Sequence, residues 1–249
     1  MAEGYERWAD FYDDAPNPLL AREERYLGPL LSDLHGNTSL DLACGTGRWL
    51  EKLVANGGAV GIGIDSSLAM LRVAARKKAI RGHLARAACE SLPLPSESFD
   101  FVICSFALGH VADLGCMAKE LSRVTKMNAD VFVSDLHPDA YARGWRVGFR
   151  DGATALQIQV QPRSTEQILQ AFSANGFECL EYLPLFLGEP EQPLFAQTGK
   201  AASFADACRL PAVLICHFRR IARVTTNREV EPTETAPSYS PTEVDGRLW

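Results

Sequence analysis

Ser39-Leu40-Asp41-Leu42-Ala43-Cys44-Gly45-Thr46-Gly47-Arg48 is the stretch around which the rest of the chain is read. Leu40, Leu42 and Ala43 suit a short buried strand, Gly45 and Gly47 suit a turn, and Arg48 to Val54 suits a helix. A strand, a glycine turn and a helix make a crevice for a nucleotide-like ligand. Glycine lets the backbone pass where a Cβ would clash, and the helix start offers free N–H groups to an anion.

Two ligand classes compete for such a crevice. A dinucleotide fingerprint wants a third glycine three residues on, and that position is Leu50. An acidic residue stands in the strand instead, at Asp41, four residues before Gly45. A second strand, Ala59 to Asp65, ends in a carboxylate 18 positions after Gly47, where it can accept ribose hydroxyls. Ser66 or Ser67 then caps a helix that begins near Leu68.

The pattern Asp-x-x-x-Gly-x-Gly resembles motif I of the class I S-adenosylmethionine (SAM) methyltransferases. Two further stretches carry the same resemblance in order: Leu92-Pro93 with Ser98-Phe99-Asp100, and Glu120-Leu121-Ser122-Arg123-Val124. It spans roughly residues 5 to 222 and implies an α/β, Rossmann-like fold. The expected sheet has seven mostly parallel strands and a terminal antiparallel hairpin, with helices on both faces and lid segments. The expected organisation is an N-terminal helical lid over 1–36 and a SAM-binding domain over 37–224. Within it 139–163 forms a substrate-lid insertion, and 225–249 is a disordered tail poor in large apolar groups.

The resemblance implies SAM as cofactor and S-adenosylhomocysteine as product. Matched onto this sequence, the cofactor would touch Tyr12, Asp41, Ala43, Gly45, Thr46, Gly47, Asp65, Ser66 and Met70. Further on it would touch Ala88, Cys89, Glu90, Ser105 and Phe106. The family's adenine-side acid aligns with Ala88, which leaves Glu90, a backbone carbonyl or water to serve. Tyr12, with Tyr5 second, is the candidate to close over the cofactor from an aromatic segment in which Trp8, Phe11 and Tyr12 recur at helical spacing.

Methyl transfer from a sulfonium is a direct displacement. Holding two reactants in line supplies about 7–11 kcal/mol in favourable systems, and a base adds about 100- to 10,000-fold for a weakly acidic acceptor. His110 follows the fourth strand, and Asp135 and His137 end the fifth, two residues apart, so these three are the candidate catalytic groups. Arg143, Arg146 and Arg150 recur at i, i+3, i+7, a helical face, with Trp145 and Phe149 beside it. Together with Tyr5, Arg143, Arg146, Trp145 and Phe149 are the candidate substrate residues, pointing to an anionic or aromatic acceptor. A solvated basic stripe over an apolar face is the competing reading of these arginines.

Composition bounds the rest. The chain has 249 residues, 47% of them hydrophobic, and a net charge of −6, which disfavours a nucleic acid partner. It has no 18-residue apolar run and no signal-peptide pattern at its start, so a cytoplasmic, non-membrane protein is expected. Seven cysteines include no Cys-x-x-Cys pair, so no metal site is expected. The function that follows is methylation of a small molecule at oxygen or nitrogen. A non-catalytic SAM-binding regulator and, behind it, an NAD(P)-dependent oxidoreductase are the alternatives.

Overall fold

Leu40 and Leu42 point to one face of a sheet, while Phe101 and Ile103 on the adjoining strand point to the other. That period of two divides the core into two layers. The structure, a computed structural model, describes residues 2–31, 38–55, 60–151, 154–222 and 247–248. The first half of the chain runs α1 (Ala2–Trp8), α2 (Pro18–Leu31), β1 (Ser39–Leu42), α3 (Arg48–Ala55), β2 (Gly61–Asp65), α4 (Leu68–Ala74), β3 (Leu84–Arg86), β4 (Phe99–Ser105), α5 (Leu114–Val124) and β5 (Thr125–Leu136). The second half runs α6 (Pro138–Ala142), β6 (Trp145–Arg146), β7 (Gly148–Asp151), β8 (Thr154–Gln157), α7 (Thr165–Ser173), β9 (Phe177–Leu185), α8 (Gln192–Gln197), α9 (Phe204–Ala207), β10 (Val213–Arg220) and β11 (Arg247–Leu248).

Seven strands form one sheet in the order β3-β2-β1-β4-β5-β10-β9. β1 to β5 pair in parallel, and β10 lies antiparallel between β5 and β9. The strand order reverses between β1 and β4, and in open α/β sheets ligands bind outside the carboxyl ends at such a point. The expected seven-stranded, Rossmann-like α/β architecture with its terminal antiparallel hairpin is therefore the observed one. Leu50, standing where a dinucleotide fold has a third glycine, is buried against β2, where Gly61 and Gly63 leave room for it. A Cβ on either glycine would come within 2.8 Å of the Leu50 methyl groups.

Local signals in the sequence explain most of the boundaries. Asn17 accepts from the Leu19 and Leu20 amides at the start of α2. Ser67 caps α4, Asp113 caps α5, and Ser164 and Gln167 form a capping box on α7. Asn128 takes up φ +64° in place of a glycine turn.

Two expectations are corrected. The arginine stripe is not helical: α6 ends at Ala142, Gly144 turns the chain at φ +88°, and β6 and the β7–β8 hairpin follow. Arg247–Leu248 pairs in parallel with Trp145–Arg146, so this end of the tail is a short strand; residues 223–246 lie outside the described ones, as does Ala59. Pro190 and Pro193 open a 3₁₀ turn (Glu189–Glu191) and α8. Among the described residues no helix is long and apolar enough to cross a membrane.

Candidate active site

The glycine turn bends because three successive odd positions adopt left-handed backbone: Ala43 at φ +57°, Gly45 at +55° and Gly47 at +79°. Gly47 faces inward, where a Cβ would sit 2.4 Å from Ile80 Cδ1. Gly45 faces outward, and a Cβ there would meet no atom within 4 Å. The outer side of the turn is thus open to a ligand while its inner side is packed. Asp41 lies beneath, fully buried, and its Oδ2 accepts the Leu50 N–H at 2.8 Å, fixing the first turn of α3. Burial pushes its carboxyl group up to about 7, against the opposing pull of the Leu50 N–H and Arg48.

Asp65 ends β2 with both oxygens engaged: Oδ2 accepts from Gly45 N at 2.8 Å and Oδ1 from Ser67 N at 2.7 Å. Burial raises its pKa, and those N–H groups oppose the rise. The carboxylate borders a cavity of about 420 Å³. Tyr12, Ala43, Gly45, Asp65, Ser66, Met70, Ala88, Cys89, Glu90, Ser105 and Phe106 all border it, as do Tyr5 and His110. Asp41, Thr46 and Gly47 stand behind the wall, so their part is to shape the turn. The Thr46 hydroxyl donates to Asp13 at 2.6 Å, which ties the N-terminal segment to the turn. Phe106 holds φ +51° with its N–H on the Ser134 carbonyl, a strained conformation beside the cavity. Glu90 borders the cavity, yet its Oε1 accepts from Ala112 N at 2.8 Å, so that oxygen is already committed.

The roof comes from the N-terminal segment. Trp8 stacks on Phe149 with centroids 5.0 Å apart and meets Tyr12 edge-on at 4.6 Å. Gly4 presses on Ile158 so closely that a Cβ would lie 2.4 Å from its Cδ1. Tyr5 reaches across the cavity, its hydroxyl 2.8 Å from His110 Nε2. Burial holds the His110 imidazole down at about 4 and pushes Tyr5 and Tyr12 upward, Tyr12 to about 12. His110 Nδ1 is buried and has no hydrogen-bond partner.

The other expected substrate and catalytic residues do not border this cavity. Phe149 lies in the second layer of the roof, and Trp145 is buried in the core with Leu27 and Phe195. Arg146 stacks on the Tyr141 ring at 4.1 Å and donates to the Tyr141 and Trp145 carbonyls, while Arg143 is exposed beyond α6. Asp135 and His137 part company because β5 ends between them. His137 leaves the strand to cap α6, its Nδ1 accepting from Asp139 N at 3.2 Å and its Nε2 2.9 Å from the Tyr182 hydroxyl. Asp135 turns to a separate, water-sized cavity of about 20 Å³ and accepts from Gly109 N at 3.0 Å.

Reading the sequence missed Glu23. It is fully buried and accepts from Ser105 Oγ at 2.7 Å, Trp49 Nε1 at 3.3 Å, Ser134 Oγ and Arg48. The signal was present: Leu19, Glu23, Leu27 and Leu31 form one i, i+4 ridge, which puts a carboxylate in a core position. Among the described residues no cluster of His, Cys, Asp or Glu could hold a metal ion.

Comparison with known proteins agrees with this geometry. Residues 40–133 match the family model described as a methyltransferase domain. Demethylmenaquinone methyltransferase of Geobacillus stearothermophilus is 38% identical over 97 residues, which are 36% of this chain and 42% of the relative. The same enzyme of Staphylococcus aureus (strain MRSA252) is 40% identical over 96 residues, 36% of this chain and 39% of the relative. The chain thus spans about two fifths of the length of these curated relatives. Among solved structures, a SAM-dependent methyltransferase from Mesorhizobium loti superposes with a TM-score of 0.62 at 22% identity, over 80% of this chain and 98% of that one. Geranyl diphosphate C-methyltransferase from Streptomyces coelicolor A3(2), in complex with S-adenosyl-L-homocysteine, superposes at 0.61 with 16% identity, over 82% of this chain and 80% of that one. These two establish the shared fold.

Proposed function

We propose that this chain, whose residues 40–133 match a methyltransferase-domain model, is a SAM-dependent methyltransferase that transfers the methyl group of SAM to an uncharged small molecule bearing an acidic hydroxyl. One observation carries the reading. A single cavity is bordered by the Gly45 turn, Asp65 and a hydrogen-bonded Tyr5–His110 pair. Among the described residues no lysine or arginine borders it. An anionic acceptor would have no cation to pair with there, so the arginine-held carboxylate reading loses its support.

The residues present fit the cofactor. Asp65 offers carboxylate oxygens to ribose hydroxyls, and the open face of Gly45 admits the ligand's close approach. SAM supplies an electrophilic methyl group on a sulfonium, so the protein's task is mainly alignment. The walls for the acceptor are Tyr5, Phe106 and Val111. Burial keeps His110 neutral through physiological pH, which leaves an acceptor nitrogen available. In the tautomer with its proton on Nε2, His110 donates to the Tyr5 oxygen, and the buried, unpartnered Nδ1 keeps a lone pair that reaches the acceptor's hydroxyl once the ring turns toward the cavity. A nitrogen with a pKa held to about 4 is a weak base. It therefore orients the hydroxyl and takes its proton late, as the new C–O bond makes that proton acidic. Asp135 and His137 have no part in this step.

The test has two stages. Calorimetry with SAM and S-adenosylhomocysteine should give micromolar binding that Asp65→Ala abolishes. A transfer assay should then compare uncharged phenols with aromatic carboxylates. Absence of adenosyl binding, or transfer confined to carboxylates, would overturn the reading.

A further inference from the structure

We propose that Asp135 is a positioning residue that, with Arg163 and Gln161, clamps the loop bearing His110 from behind. The loop runs from Ala107 to Ala112 between β4 and α5, and His110 is its one polar side chain, on the border of the cavity. Its backbone is gripped at successive points from three elements. The Gly109 N–H donates to Asp135 Oδ2 at the end of β5, at 3.0 Å. The Gly109 carbonyl accepts from the Gln161 N–H at 2.8 Å, beyond β8. The Arg163 guanidinium donates to the Val111 carbonyl and, at 3.2 Å, to that of Ala112. On the other side Glu90 accepts from Ala112 N at 2.8 Å. Packing reinforces the grip, since a Cβ on Gly109 would lie 3.1 Å from Val160 Cβ and 3.3 Å from the Gln161 carbonyl.

This arrangement gives the half-buried carboxylate of Asp135 a use that its exclusion from the main cavity otherwise denies it. Two backbone N–H groups, Gly109 and Leu136, satisfy it. The catalytic importance of the clamp rests on the reading of His110 given above; its structural action on the loop does not.

The test needs no methyl acceptor. Asp135→Ala removes the acceptor for Gly109, whereas Asp135→Asn removes the same charge but keeps a carbonyl oxygen for it. Hydrogen exchange of the Gly109 amide should quicken by about tenfold or more in the alanine protein and stay within about threefold in the asparagine protein. The His110 imidazole NMR signal, assigned with His110→Gln, should change its titration midpoint in the alanine protein and hold it in the asparagine protein. Far-UV circular dichroism checks the fold, and Asp135→Ser replaces the alanine variant if that does not fold. Unchanged Gly109 exchange and His110 titration in the alanine protein would overturn the proposal. So would an asparagine protein that matches the alanine one, because charge and not the hydrogen bond would then be acting. If methyl transfer survives His110→Gln, the reading of His110 fails while these loop signatures still decide the clamp.

Discussion

The Tyr5 hydroxyl lies 2.8 Å from His110 Nε2, so one hydrogen bond joins the chain's first helix to the loop after β4 at the border of the cavity. Tyr5→Phe keeps the ring that stacks near Trp8 and removes only that bond. The expected loss of stability is about 1 kcal/mol, the usual net worth of a hydrogen bond. The expected loss in acceptor turnover is larger, about tenfold or more, with S-adenosylhomocysteine affinity nearly unchanged. Paired calorimetry and steady-state kinetics check it; equal losses in both would instead make Tyr5 a cofactor residue.

Asp41 predicts a pH dependence of stability. Its carboxyl group is raised to about 7 by burial, from an ordinary value of about 3.9. Over that interval the folded protein holds a proton that the unfolded chain has released. Stability from this group is therefore complete below about pH 4 and is lost as pH rises through about 7. Asp41→Asn should keep an acceptor for the Leu50 N–H while removing this slope. Its melting temperature should overtake that of the parent progressively from pH 5 to pH 8. Parallel curves for the two proteins would contradict the assignment.

Gly47 predicts intolerance to the smallest side chain. Alanine there must accept φ +79° and a methyl 2.4 Å from Ile80 Cδ1. A loss of about 2 kcal/mol is expected in urea denaturation, in the range for overpacking at a left-handed position. Gly45→Ala meets no such clash. It should cost less stability but block the open face of the turn, so cofactor affinity should fall in that variant even where the fold holds.

Arg146 predicts a null result for binding. Its guanidinium is spent on the Tyr141 ring and two backbone carbonyls. Arg146→Ala should leave the affinity for cofactor and the KM for any acceptor within about twofold, with a cost in stability of about 1 kcal/mol. A large rise in acceptor KM would restore the anion-binding role that its spacing first suggested.

What could be read from the sequence, and what could not, divides along the range of the interactions. Gly45, Asp65, Ser105 and Phe106 were legible because a strand end and the turn after it are set by residues a few positions apart. The cavity borders of Ala88 and Cys89 followed from the family resemblance, which aligns its adenine-side acid with Ala88. Asp135 and His137 were not legible, because their partners, Gly109 and Tyr182, are distant in the chain and nothing local decides which way each side chain leaves the end of β5. The arginine stripe misled because three residues at i, i+3, i+7 fit a helix on spacing alone, although Gly144 and Gly148 already argued against one. Glu23 needed the opposite correction: its ridge partners Leu19 and Leu27 marked it as buried, but only the fold could bring Ser105, Ser134 and Arg48 to meet it.

The stacking of Trp8 on Phe149 has a consequence for the order of assembly. The two rings lie about 140 residues apart in the chain, a loop whose closure carries a large entropic cost before any contact offsets it. During synthesis the parallel strands and the glycine turn are complete well before Phe149 emerges. A nascent chain stopped short of the β7–β8 hairpin would therefore own the crevice, with Tyr5 on His110 and Asp13 on Thr46, while Trp8 lacks its Phe149 cover. Ribosome-bound chains of graded length should pass from accessible to protected at Trp8 only after Phe149 and Ile158 have cleared the exit tunnel.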